Sequence, residues 1–219
     1  MESSAQFADL TLGEFEDRLA SAEPVPGGGS ASAIAGSMAA SLLAMVSRLS
    51  TDRPKYADYA LTHARALSIA ESARKRLLDL ADQDAVAYAA FMAARKMPRE
   101  TDEQQRSRQT ATQFAARQAS EIPLDVVREC AQVLMSVESM AGRSNMNASS
   151  DLEVAARLAA AAARGAAANV MINLPDVGDE KYAGGTTAEV TKLLNDIDRL
   201  VAEVSERVGA GALRGPEAA

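Results

Sequence analysis

The sequence predicts an all-α protein folded as one domain, and three observations predict it. Hydrophobic residues make up 47% of the 219 residues, yet aromatics only 4%, with no Trp, and alanine fills the gap. Alanine is the best helix former, whereas Val, Ile and the aromatics favour strands. Apolar residues recur at three- and four-residue spacings, with no hairpin signal and no sustained alternation. Finally, Pro24, Pro26 and the glycines at 27–29, then Pro98, then the stretch from Pro175 to Gly185 mark breaks between long periodic segments. No fixed-period repeat and no domain boundary interrupts the chain, and 219 residues suffice for one sizeable core.

The elements follow in order. Residues 11–20 predict a short amphipathic helix with Leu12, Phe15 and Leu19 on one side. Pro24 and Pro26 hold the next segment extended, Gly27, Gly28 and Gly29 free it to turn, and Ser30 is a candidate N-cap. Residues 31–50 are small or apolar, which predicts a buried helix. A break at 51–56 precedes a long helix over about 56–96, ended by Pro98. A further helix is predicted to start near Thr101 and reach about Ser120, with Pro123 in the first turn of the next. Residues 142–148 read as a loop, Ser149 or Ser150 as the cap of a helix lasting to about Leu174, and 175–185 as another loop. Thr186 or Thr187 then starts the last helix, the packed region spans about 11–205, and the tail from about 209 to 219 is expected to be disordered.

Bulk properties exclude several classes. A net charge of −7 argues against a nucleic-acid binder, which shows a basic face. The start, Met1 to Ser4, has no basic residue before an apolar run, so no signal peptide is expected. No long stretch reads as unbroken apolar residues; 154–172 comes nearest, interrupted by Arg157, Arg164 and Asn169, so no membrane span is expected. The single Cys130 has no partner for an internal disulfide, and a reducing, cytoplasmic setting is expected. His63 is the only histidine, which argues against a His-rich metal site or a His-based triad, and its surroundings read as surface.

Four constellations carry possible chemistry. Backbone N–H groups at the start of the helix after Gly27, Gly28, Gly29 and Ser30 suit an anion or a carbonyl oxygen; the same residues also make an ordinary capped turn. Ala73, Leu77, Leu80, Asp84, Ala87 and Phe91 share one helix face, and Asp84 is its one polar member. A carboxylate in an apolar cleft holds its proton tightly, which suits proton transfer near neutral pH; a buried Asp bonded to a helix terminus or an Arg would look the same. Asp82, by contrast, groups with Lys75 and Asp79 toward solvent. Asn145, Asn147 and Asp151 flank one helix start and Asn169 and Asn173 its end, where amides can read a heterocycle edge or serve as caps. Arg53 and Lys55 form a small basic patch able to meet a ligand carboxylate.

Residues 24–30, the Ala-rich helix, Lys55 and Tyr56, the run 82–85 and Met97-Pro98 resemble the cyclodeaminase/cyclohydrolase family of folate enzymes. The likeness continues through 122–124, 145–151 and 164–174, and covers about 11–205 in order. Ser144 stands where the family often has Gly, and residues 51–56 replace a more basic, glycine-containing turn. The resemblance implies mostly antiparallel helices assembled as a homodimer, with folate sites near the subunit interface. It implies that Asp84 is the catalytic acid/base. Gly27, Gly28, Gly29, Ser30, Asn145, Asn147, Asp151 and Asn169 would contact the ligand, and Lys55 its glutamate tail. The implied substrate is a tetrahydrofolate derivative, with no metal or other cofactor. The expected reaction is hydrolysis of 5,10-methenyltetrahydrofolate to 10-formyltetrahydrofolate. Release of ammonia from formiminotetrahydrofolate, or a non-catalytic folate-binding helical dimer, are the alternatives.

Overall fold

The computed structural model describes residues 6–216; the N-terminal reading at Met1 to Ser4 and the last part of the tail lie outside them. Six α-helices are present, and no strand occurs among the described residues: α1 (Leu12–Leu19), α2 (Gly28–Ser50), α3 (Ala60–Arg95), α4 (Asp102–Met140), α5 (Ser149–Asn173) and α6 (Glu180–Ala210).

Polar and close contacts fix how the helices run. Ser30 Oγ donates to the Ala81 carbonyl and Ser37 Oγ to the Arg74 carbonyl, so α2 and α3 are antiparallel; Gly28 against Asn169 and Ser50 against Asn145 make α2 and α5 antiparallel too. Arg76 pairs with Asp125 and Asn173 with the Ala119 carbonyl, which orients α4 against α3 and α5. The result is an up-and-down bundle α2–α3–α4–α5, with α6 laid along α4 and α5. Its core is built from alanines with Leu43, Leu77, Leu80, Leu134, Leu152 and Ile197. Small residues allow tight approach: a Cβ at Gly165 would sit 2.3 Å from Ser32 Oγ, and one at Gly36 2.9 Å from Cys130 Sγ.

Several expectations are corrected. Residues 102–140 form one continuous helix with Pro123 buried inside it, not two helices meeting at Pro123. Proline lacks the N–H that would bond the Ala119 carbonyl four residues back. Asn173 Nδ2 donates to that carbonyl at 2.8 Å, so the helix continues without an orphaned acceptor. Ser30 is not the cap of α2; Gly27 is. Neither Ser149 nor Ser150 caps α5, which follows a short 3-10 turn, Met146–Ala148. The last helix starts at Glu180, capped by Asp179, so Gly184 and Gly185 are helical. In α1 only Phe15 is buried, while Leu12 and Leu19 are exposed.

Further corrections concern the surroundings of particular residues. His63 is 2% exposed, with Nε2 2.8 Å from the Arg143 carbonyl. Residues 211–216 are docked rather than disordered: Arg214 N–H donates to the Gly142 carbonyl, and its guanidinium pairs with Glu138. Asp82 caps the incoming chain, accepting from the Phe7 N–H at 2.9 Å. By length and composition α2, not 154–172, could cross a bilayer; 61% of its apolar window is buried inside the protein.

The helices have unequal lengths, and this makes the cleft. α2 begins opposite Asp84 and α5 ends opposite Ala119. The last 11 residues of α3 and the first 17 of α4 therefore continue past them as a hairpin, about 16 Å along α3. Phe91, Ala94, Ala115, Ala116 and Val177 give that hairpin a small core of its own.

Candidate active site

The N-terminus of α2 is aimed at the middle of the Asp84 stripe. Gly27, the cap, is extended (φ −125°, ψ −162°) and offers no side chain to the first N–H groups of the helix. Those groups carry the positive end of the helix dipole. Gly29 lies flat against the Asp84 carboxylate: an added Cβ would be 2.2 Å from Oδ1 and 2.5 Å from Cγ. A glycine is needed here for that close approach.

Ser30 is buried, and its single hydroxyl proton faces two acceptors, the Ala81 carbonyl at 3.0 Å and Asp84 Oδ2 at 3.1 Å. Burial pushes the Asp84 carboxyl above its ordinary range; the hydroxyl and backbone N–H of Ser30 pull it down, and the net shift is upward. When the Ser30 proton goes to Ala81, Ser30 Oγ can accept from a protonated Asp84 instead. The pair thus tolerates both charge states of the carboxyl without leaving a polar atom unbonded.

Asp84 opens into a cleft of about 540 Å³, within the range of small-molecule sites. Gly27, Gly28, Gly29 and Val25 form one wall, Tyr88, Phe91 and Met92 another, and Asn169, Ile172 and Asn173 a third, with Arg95 and Asp176 at the rim. The Asn169 amide donates to the Gly165 carbonyl at 2.9 Å, which fixes the side chain beside Gly28. A planar, partly cationic or hydrogen-bonding group that enters between the aromatic wall and the glycines meets a carboxyl poised to exchange a proton.

A model of the formiminotransferase-cyclodeaminase family matches residues 11–192. The chain belongs to the formiminotransferase-cyclodeaminase family. It is 35% identical to a methenyltetrahydrofolate cyclohydrolase from Methylorubrum extorquens, over 90% of this chain and 95% of that one. It is 32% identical to a formimidoyltransferase-cyclodeaminase from Gallus gallus over 84% of its length, and spans only 34% of that protein. The crystal structure of formiminotetrahydrofolate cyclodeaminase from Thermotoga maritima superimposes with a TM-score of 0.84 at 29% identity, covering 93% of this chain and 98% of that one.

Within this member of the family the sequence-predicted residues divide between two ends of the bundle. Gly27, Gly28, Gly29, Asp84 and Asn169 line the cleft, with Ser30 directly behind Asp84. Lys55, Asn145, Asn147 and Asp151 lie at the other end of α2, whose 23 residues span about 35 Å. They do not line the cleft of their own chain. Asn145 is a structural cap there: 5% exposed, it accepts from the Asn147 N–H and donates to the Leu49 carbonyl. Lys55 lies 5.5 Å from the Tyr56 ring centre, and Asn147 is exposed.

The cleft also contains residues that the motif reading left out. Tyr88, Met92 and Arg95 follow Asp84 by four, eight and eleven residues and lie on its face of α3. Helical spacing from Asp84 was sufficient to find them. Asn173 was visible as the i+4 partner of Asn169. Asp176 had no comparable signal, because it reaches the rim through the turn after α5.

Proposed function

We propose that the chain is a folate one-carbon enzyme that hydrolyses 5,10-methenyltetrahydrofolate to 10-formyltetrahydrofolate, with Asp84 as the general acid/base. The observation that carries this reading is Asp84 itself: a carboxyl in an apolar cleft, braced by Ser30 and the start of α2. The methenyl carbon lies in a cationic amidinium, which a carboxylate attracts. Asp84 removes a proton as water attacks that carbon. It then returns the proton to N5 as the C–N5 bond breaks, leaving the formyl group on N10. The reaction as written consumes water, releases a net proton and uses no further cofactor. The cationic substrate offsets the burial that otherwise favours the protonated carboxyl, so binding brings Asp84 toward its basic form. Tyr88, Phe91 and Met92 supply an apolar wall for the ring system, and Asn169 and the α2 N–H groups supply polar contacts.

The full-length match to the Methylorubrum extorquens protein favours the cyclohydrolase. The Thermotoga maritima structure, matched over 98% of its chain, supports formiminotetrahydrofolate cyclodeamination as a second reading, in which Asp84 moves a proton between N10 and departing ammonia. Pure protein assayed against both compounds separates them. Loss of methenyltetrahydrofolate absorbance above the spontaneous rate, without ammonia release from formiminotetrahydrofolate, is expected; ammonia release alone selects the second reading. Neither change sinks both.

The proposal includes a homodimer. Met38, Met45 and Leu49, seven and four residues apart on α2, and Val154 and Ile172 on α5 are exposed apolar residues, and Ile172, 74% exposed, is also a cleft wall. A second copy related by a two-fold axis through these residues would bring its Lys55 and Asn147 end against the cleft of the first. Cys130 is buried, and burial pushes its thiol up to about 12, which keeps it inert; the proposal also places the chain in a reducing, cytoplasmic setting, in line with its single cysteine. Met45→Glu is expected to give a monomer by light scattering with at least about tenfold lower activity. Mixing inactive D84N and K55A chains is expected to restore activity; no recovery on exchange of subunits removes Lys55 from the site.

A further inference from the structure

The residues after α6 fold back onto the bundle, far from the cleft. Gly211 ends α6 in the left-handed region (φ +60°), and residues 212–216 then run against the turn that joins α4 to α5. This segment lies beyond residue 192, where the family match ends.

Its contacts form a clasp that closes in both directions. The Arg214 N–H donates to the Gly142 carbonyl at 2.9 Å, and Arg143 Nε donates to the Gly215 carbonyl at 2.7 Å. The Arg214 guanidinium pairs with Glu138 at 2.6 Å and also donates to the Glu138 and Ser139 carbonyls. Carbonyls in the last turn of a helix carry its negative end and favour a cation. Gly142 (φ +74°) lies flat against this segment: a Cβ there would be 3.2 Å from the Ala212 carbonyl oxygen and 3.3 Å from Arg214 Cγ.

The clasp reaches both segments that carry Lys55 and Asn147. Tyr59, at the end of the 3-10 segment Pro54–Tyr59 that holds Lys55, donates its hydroxyl to the Arg214 carbonyl at 2.8 Å. In the turn before Asn147, the Arg143 carbonyl accepts from His63, the Asn145 N–H donates to Ser50 Oγ, and the Met146 N–H donates to Tyr56 Oη. The backbone of 142–146 is thus bonded in turn to the C-terminal segment, α3, α2 and the Lys55 segment. Stability alone accounts poorly for the clasp. Arg214 Nε is buried without a hydrogen-bond partner, and an unbonded buried donor offsets much of the net gain from the bonds beside it.

We propose that residues 211–216 are a positioning strap, and that Arg214 sets the placement of Lys55 and Asn147 in the cleft of a second copy. The proposal rests on the homodimer reading, in which this end of the bundle completes the other chain's cleft. The strap sits at the opposite end of the 23-residue α2 from Gly29 and Asp84 of its own chain. Arg214 is therefore a positioning residue: it acts through Lys55 and Asn147 and touches no substrate.

Steady-state kinetics of R214A and Y59F, with whichever of the two folates wild type turns over, test this beside light scattering and thermal melts. R214A is expected to raise KM about 5-fold, the loss of one partly exposed ion pair to the ligand, with kcat and the dimer unchanged. Y59F keeps the ring and removes one hydroxyl from the clasp, so it shifts KM in the same direction and covers the case in which R214A fails to fold. R214K keeps the Glu138 pair but not the planar fork that also reaches two carbonyls, and its KM is expected to fall between those of wild type and R214A. Excess D84N mixed with R214A is expected to return KM to the wild-type value, because each active cleft is then completed by a chain with an intact strap. A raised KM that survives this mixing overturns the proposal. So does an unchanged KM in both R214A and Y59F, or a fall in kcat that tracks a fall in Tm. A wild-type monomer, or no turnover of either folate, overturns the reading beneath the strap and the strap with it.

Discussion

Replacement of Asp84 by Asn lowers kcat by about 10²–10⁴-fold, the usual contribution of a positioned acid/base, while folate affinity falls far less. Asn keeps the size and hydrogen bonding of the side chain but cannot exchange the proton. The same substitution raises thermal stability at neutral pH. Burial lifts the folded-state pKa of Asp84 above the ordinary 3.8, so the folded protein binds this proton more tightly than the unfolded chain does. Stability from that source is fully present below 3.8 and is lost as pH rises through the folded value. D84N removes the loss, so its Tm exceeds wild type at pH 7, and the two converge below 3.8. Activity runs the other way, rising with pH as Asp84 becomes a base. Ser30→Ala removes the hydroxyl that favours the charged form, and the acid limb of the pH–rate profile moves further upward. Scanning calorimetry with a pH–kcat/KM profile checks both. Full activity in D84N, or a Tm lower than wild type at pH 7 by the same margin as at pH 3, contradicts the role assigned to Asp84.

Gly29→Ala is expected to cost about 10²-fold in kcat with little change in Tm. The new Cβ would lie 2.2–2.6 Å from both oxygens and the carboxyl carbon of Asp84. The carboxyl is the end of a side chain, so it swings away and leaves the fold intact. Displacement of a catalytic group by about 1 Å suffices for a loss of this size. Alanine also favours a helical position over glycine by about 1 kcal/mol, which offsets part of the repacking. Thermal melts beside steady-state kinetics separate the outcomes. Unimpaired turnover shows that the approach of α2 to Asp84 is not needed for catalysis, and a large drop in Tm shows that Gly29 acts through folding.

The stripe containing Asp84 was legible because α3 is one uninterrupted helix, where residues three and four apart share a face whatever surrounds them. The same rule located Phe91 and could have located Tyr88 and Arg95. The glycine loop is legible as a helix start, but the residue that caps it is not. Ser30 looks like a cap by residue type; in the folded chain Gly27 is the cap and Ser30 reaches α3. His63 has polar neighbours along the chain and is nonetheless buried, because the Arg143 carbonyl comes from a distant loop.

Pro123 shows where local reading stops. A helix-ending residue by local chemistry sits inside a 39-residue helix, since an amide 50 positions later, Asn173, supplies the donor that proline lacks. The sequence by itself determined the helical class, the apolar stripe of α3 and the carboxyl that carries the proposed chemistry, because backbone sterics and side-chain periodicity act within a few residues. Only the tertiary structure decided which helix ends meet. It placed Gly29 on Asp84, sent Lys55 and Asn147 to the far end of α2, and set Arg95 and Asp176 on the cleft. Those outcomes depend on helix lengths and on polar partners far apart in the chain, which no local spacing records.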